Sequence, residues 1–291
     1  MKLRAISAGL VALCVLVAGS TEVKSLFNDM LRHQQHEKHE YRPGTIDRHE
    51  AVALYSPEQR KASFAACADQ FPRQRPLAIG SVPATMRPLP LCSDNFAVLY
   101  SQTSKTPLVV IERLTAAQLR EAKGEERTDQ FFPDPRVLKD SRAELSDYRG
   151  QTPAVDRGHQ APAGDAPTPR AMAQSFALSN MVPQSPESNR KAWNGVEMAT
   201  RKFAQRAGGN VFVFTGPIFD KGYETIGKNK VWKPTRLFKL VYDERSGRAW
   251  AYILPNAKSR VKEPVDYGTF VQETGLRLLE GLRVTGSIEP S

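Results

Sequence analysis

Two apolar, β-rich runs, FAVLYSQ (96–102) and PLVVIERL (107–114), are separated only by the polar link TSKT. A link that short leaves no room for a crossover, so the runs read as an antiparallel hairpin. Further strands fit the same scheme. NVFVFTGPIF (210–219) reads as a buried strand stopped by Gly216-Pro217, and RLFKLVYDERSGRAWAYILP (236–255) as two strands joined by a turn at 243–247. Helical patterns fall at AAQLREAKG (116–124), at 189–206 and at GTFVQETGLRLLEGL (268–282). There is no regular βαβ rhythm and no internal repeat. The expected class is α+β, a mainly antiparallel sheet core with flanking helices. Residues 125–170 are irregular, charged and rich in proline and glycine, the mark of a functional or disordered stretch.

The N-terminus stands apart. MKLR precedes AISAGLVALCVLVAGS (5–20), an uncharged run shorter than the ~20 residues of a spanning helix. Residues 1–25 read as a secretory signal, with an uncleaved anchor or a buried core helix as alternatives. That implies a secreted or periplasmic protein, or a membrane-anchored one as the lesser reading. Residues 26–60 read as a polar arm; His33, His36 and His39 within it suit either a solvated segment or a metal site. Residues 61–291 are long enough for one domain with its own core. The formal charge is +10, of which 1–25 supply +2. Such a surplus favours a polyanionic partner, though a merely soluble basic protein would also show it. Outside 1–25 the cysteines are Cys67 and Cys92. They read as one disulfide, with two free buried thiols as the alternative.

The chemistry concentrates in DRGHQAPAGD (156–165). His159 is the only histidine after His49. In an extended segment Arg157 and His159 project to one side, and Gly158 between them permits close approach. An imidazole is the natural general base near neutrality. A guanidinium beside it suits an anionic transition state and depresses the imidazole's proton affinity. A satisfied loop histidine is the plainer reading. Downstream, 100° per residue puts Ala192, Val196, Ala199 and Phe203 on one buried stripe. Asn189, Trp193, Glu197 and Arg201, spaced by four, line the adjoining edge. They form either a site wall or a capping Asn189 with a Glu197–Arg201 ion pair.

DRGHQAPAGD followed by QSFALSNMVPQSPESNRKAWNGVE (174–197) resembles the DNA/RNA non-specific endonucleases of the ββα-metal (His-Me finger) superfamily, the secreted bacterial type among them. The similarity runs from about Phe96 to Leu282. It implies a ββα-metal finger active site and cleavage of DNA and RNA at phosphodiester bonds, leaving 5′-phosphates. His159 would be the general base. Asn189 would be the one protein ligand of Mg²⁺, with Mn²⁺ as an alternative, and Glu197 would hold metal-bound water. Arg157, Arg201 and Arg113, which ends a strand and aligns with a phosphate-contacting arginine of the family, would contact phosphate; Asp156 would position the loop. No nucleotide cofactor is implied, and the oligomeric state is left open, a homodimer included. Lys202, Arg206, Lys228, Lys230, Lys233 and Arg236 are candidates for sequence-independent backbone contacts. Two rival readings remain: a non-catalytic nucleic-acid-binding surface protein, and a metal-dependent phosphodiesterase acting on small nucleotides.

Overall fold

The hairpin constraint propagates into a seven-stranded antiparallel sheet. The computed structural model describes residues 46–286, all within the compact unit Gly44–Ser291. The expected signal, the histidine triplet and the start of the arm lie outside the described residues. Strands β1 (Pro88–Cys92), β2 (Ala97–Ser101) and β3 (Thr106–Leu114) form a meander. Helix α1 (Arg48–Ala53) precedes them and α2 (Ala116–Ala122), capped by Thr115, follows. A two-stranded unit then interrupts the sheet: β4 (Asp156–His159), α3 (Pro169–Ser175) and β5 (Met181–Gln184). Behind β5 comes a π-wound turn, Ser188–Trp193, continuous with α4 (Asn194–Ala204). The chain returns to the sheet as β6 (Val211–Ile218), makes the hairpin β7 (Glu224–Ile226) and β8 (Val231–Lys233), and adds β9 (Arg236–Asp243), β10 (Arg248–Pro255), β11 (Val265–Asp266) and α5 (Tyr267–Thr274). The order across the large sheet is β1-β2-β3-β6-β9-β10-β11.

Side-chain alternation gives this sheet two packed faces. Ile111, Phe212, Phe214, Phe238 and Leu240 form one of them, with Phe270 and the Cys67–Cys92 disulfide packed in the same core. On the other face, Leu114, Val211, Val213, Val241 and Trp250 meet Leu119 and Ala204. Val196 and Trp193 join Leu237 and Leu254 beside them. The α4 helix therefore lies across the sheet face that also carries Glu112 and Lys239, both buried.

Four details depart from the sequence reading. The packed body reaches back to Ile46, since Ala51 and Tyr55 are buried against Phe132 and Phe176; residues 46–60 are no free arm. Strand β6 continues through Gly216 and Pro217. Its pairing with β3 ends at Thr215, so Pro217 bonds only toward β9 and needs no donor on the other side. The last helix stops at Thr274 because Gly275 takes φ 72°, a left-handed cap. In α4, Val196, Thr200 and Ala204 are buried and Ala199 is exposed. The buried line thus runs by fours from Val196 through Thr200 to Ala204, and the threonine takes the place expected of Ala199.

The disulfide closes a loop of 25 residues between the N-terminal segment and β1. Replacing both cysteines by serine should lower the unfolding free energy by about 3 kcal/mol in urea titrations. No loss would show that the loop is held by packing alone.

Candidate active site

The β4–β5 pair and the helix behind it make a ββα unit. Asp156 pairs with Gln184 and His159 with Met181. Gly158 is required here: a Cβ on it would fall 2.0 Å from Gln184 Oε1. Alternation sends Arg157 and His159 to one side, where both line a cavity of about 330 Å³. Asn189, Arg190, Asn194, Glu197 and Arg201 reach the same cavity from the helix, and Arg127 from the irregular segment.

His159 is nearly buried, edge-on to Phe176 with ring centroids 5.0 Å apart and tilted against Phe131 at 5.6 Å. Its Nε2 has no hydrogen-bond partner among the described residues. Burial first, then the charges of Arg127 and Arg157, push its pKa down to about 3. The imidazole is therefore neutral and able to accept a proton.

Asp156 joins strand to helix. Its carboxylate accepts from Asn189 Nδ2 at 3.0 Å and from Arg190 Nε and an Arg190 terminal nitrogen at 2.9 and 2.7 Å. Partial burial opposes its charge, but Arg190 and Asn189, with Arg157 nearby, hold the carboxyl below its ordinary range. Asp156 thus positions the helix turn rather than its own loop. With the amide nitrogen engaged by Asp156, the Asn189 carbonyl oxygen is left to the cavity.

Arg201 is anchored by an ion pair to buried Asp165 and lies over Gly164. Glu197 is pushed up to about 7, mainly by burial and also by Asp165, against the pull of Lys239, Arg201 and Arg127. Beneath it Lys239 Nζ donates to Thr215 Oγ1 at 2.7 Å and lies 5.6 Å from the Trp193 ring. Burial drives Glu112 well above the carboxylate range, with Asp165 adding to that and Lys239 opposing it.

Among the described residues no group of three or more His, Cys, Asp or Glu could hold a metal ion. The donor set that does converge is one neutral amide oxygen and one carboxylate. That set fits a hard cation that keeps most of its waters, such as Mg²⁺.

One expected site residue is elsewhere. Arg113 sits next to Glu112 on β3, so alternation turns it to the opposite sheet face, where it pairs with Asp69 at 3.1 Å. Arg127 takes the place expected of it. Its Nε bonds Asp129 at 2.7 Å and its guanidinium lies 5.0 Å from the Phe176 ring. Nothing periodic marks Arg127 in GEERTDQFF; only its place in a long irregular stretch singles it out. Asp165 was also missed as the anchor of Arg201. Of the basic candidates, Lys233 and Arg236 are paired with Glu224 and with Asp220 and Glu273.

Comparison with known proteins bears on this arrangement. A profile of the DNA/RNA non-specific endonucleases matches residues 74–283. Human mitochondrial endonuclease G is 36% identical over 178 residues, 56% of this chain and 59% of that protein. Zebrafish mitochondrial nuclease EXOG is 32% identical over 210 residues, 67% of this chain and 58% of that protein. The chain thus spans under two thirds of the length of these relatives. The crystal structure of an EndoG/EndoGI complex, titled for the mechanism of EndoG inhibition, superposes with TM-score 0.60 at 27% identity, over 68% of this chain and 89% of that one. These names correct the expectation of secretion: the relatives are mitochondrial nucleases, the fission yeast nuclease 1 among them, and point away from a secreted or periplasmic location.

The folded chain holds His159 neutral down to about pH 3, whereas an unfolded chain binds that proton near 6.5. The unfolded state therefore takes up more protons in this window, and His159 weakens folding as pH falls through it. The His159 Cε1–H resonance should keep its neutral position from pH 8 to pH 5. A midpoint near 6.5 would show a solvated imidazole instead.

Proposed function

The chain belongs to the DNA/RNA non-specific endonuclease family, and on that premise we propose that it is a sugar-non-specific, metal-dependent endonuclease that hydrolyses DNA and RNA to 5′-phosphate products. The observation that carries this reading is the convergence of Arg157 and His159 from β4 with Asn189, Glu197 and Arg201 from the helix on one cavity. His159 takes a proton from water as that water attacks phosphorus in line with the 3′ oxygen. Arg157, Arg127 and Arg201 bind the phosphate and the charge that grows on its oxygens. Asn189 would hold a divalent cation, Mg²⁺ foremost and Mn²⁺ as the alternative, through its carbonyl oxygen, and Glu197 would orient water beside it. Such a cation would supply Lewis acidity to the reaction. Asp156 keeps the Asn189 amide turned for that task. No side chain need form a covalent intermediate.

Plasmid DNA and RNA should both be cut with Mg²⁺ and spared with EDTA. His159→Ala should lose about 10²- to 10⁴-fold in rate. Full activity in that variant would remove the proposed base. Preference for a small chromogenic diester over both polymers would instead support a small-nucleotide phosphodiesterase.

The two arginines give a second, independent check. Arg127→Ala should lower kcat/KM by about tenfold or more, the loss of a charge-assisted phosphate contact. Arg113→Ala should change it by less than about threefold, since an exposed ion pair contributes little. The reverse ranking would refute this assignment of the cavity.

A further inference from the structure

The β7–β8 hairpin carries chemistry that the cleavage cavity does not use. Thr225 pairs with Trp232 and Ile226 with Val231. Alternation buries Ile226 and Val231 against Tyr148, Leu178 and Met181, and that packing anchors the hairpin. Trp232 therefore turns to the other face. There it stacks on Tyr223, ring centroids 4.2 Å apart at 30°, and Phe219 stands edge-on to both at 5.3 and 5.6 Å. All three rings are half-buried.

Positive charge surrounds them. Lys221, Lys228 and Lys230 are exposed and make no ion pair among the described residues, whereas Lys233 is taken by Glu224. The turn that carries Lys228 and Lys230 is clamped. Buried Asp147 accepts from Asn229 N at 3.1 Å and from Asn229 Nδ2 at 3.0 and 2.8 Å. Gly227 (φ 63°) is pressed so close that a Cβ would lie 2.3 Å from Asp147 Oδ1, and Lys230 also has a positive φ, 57°. A left-handed backbone at Lys230 is unfavourable for a side chain of that kind. A turn fixed in this way presents two lysines with little ordering left to lose on binding.

We propose that Phe219, Tyr223 and Trp232, with Lys221, Lys228 and Lys230, form a stacking platform for single-stranded nucleic acid, separate from the cleavage cavity. It rests on the nucleolytic reading above and extends it to how a strand is held. Partly exposed stacked rings are a surface on which a base of any kind can stack, and nearby lysines track the phosphates without reading sequence. Bases in a duplex are already stacked and do not reach such a platform.

The chain has three tryptophans, and Trp193 and Trp250 are 0% and 1% exposed. Trp232 fluorescence is therefore the direct probe. With the full chain in EDTA, oligothymidylate should quench it saturably, and Trp232→Phe should abolish that signal. Trp232→Ala should weaken oligothymidylate binding about tenfold. Lys228→Glu with Lys230→Glu, both at exposed positions, should weaken it similarly and reduce the slope of log K against log salt by about 1.4. Every variant should keep the far-UV circular dichroism and melting temperature of the parent chain, so that a loss of affinity is not a loss of fold. Unchanged oligothymidylate affinity in both sets, or an equal loss for a duplex of the same length, overturns the platform. Nicking without any quench refutes the platform alone; quench without nicking of any substrate retains it and refutes the nucleolytic reading.

Discussion

The carboxylate of Asp156 is the joint on which the site depends. It receives three N–H donors from adjacent residues of one helical turn. This fixes the helix against β4 at the point where the two elements must cooperate. Asn189 and His159 are 30 residues apart in the chain, and this contact brings both to one cavity. A charged acceptor with donors from two residues is a strong local constraint. The turn that carries both donor residues, Ser188–Trp193, is π-wound. The irregular winding costs some regularity, a feature often found where side chains must be aimed.

A second constraint lies below the helix. An antiparallel sheet face under a helix is normally apolar, yet this one carries Glu112, Thr215 and Lys239. An unpaired charge there would be costly. The chain meets this with partial compensation: Lys239 donates to Thr215 and lies near Trp193, while burial drives the Glu112 pKa well above the carboxylate range and so favours its neutral form. The same low-polarity surroundings raise Glu197 to about 7. For Glu197 burial is the first cause, and Lys239 below it, with Arg201 and Arg127, pulls the other way.

Much of this was legible in the sequence, where local rules decide. The TSKT link fixed the pairing of β2 with β3. Alternation in DRGH put Arg157 and His159 on one side, and spacing by four kept Asn189, Glu197 and Arg201 together. Failures came where a local rule met tertiary context. The family resemblance points to Arg113, but the parity of β3 turns it away from Glu112, and which face meets the helix is decided by the whole sheet. Pro217 looked like a stop because the end of its pairing with β3 is invisible in the chain. Apolarity picks out Ala199 for the buried stripe, but the helix instead buries Thr200, whose hydroxyl donates to the Val196 carbonyl. Arg127 lies in a segment with no period, so only the folded path of the chain brings it to the cavity.

The arginines around the cavity are not equivalent. Arg190 is held by Asp156, Arg201 by Asp165 and Arg127 by Asp129. Arg157 has no carboxylate partner among the described residues and instead lies 4.0 Å over the Phe131 ring. A ring face attracts a guanidinium more weakly than a carboxylate does and leaves its N–H donors unspent. Phe131 also packs against His159, so one aromatic side chain keeps the unneutralised cation and the neutral base side by side. A carboxylate in its place would satisfy Arg157 but would raise the proton affinity of the imidazole beside it. An aromatic partner does neither. In this geometry the choice of phenylalanine over an acid leaves Arg157 without a carboxylate partner and His159 free of a proton.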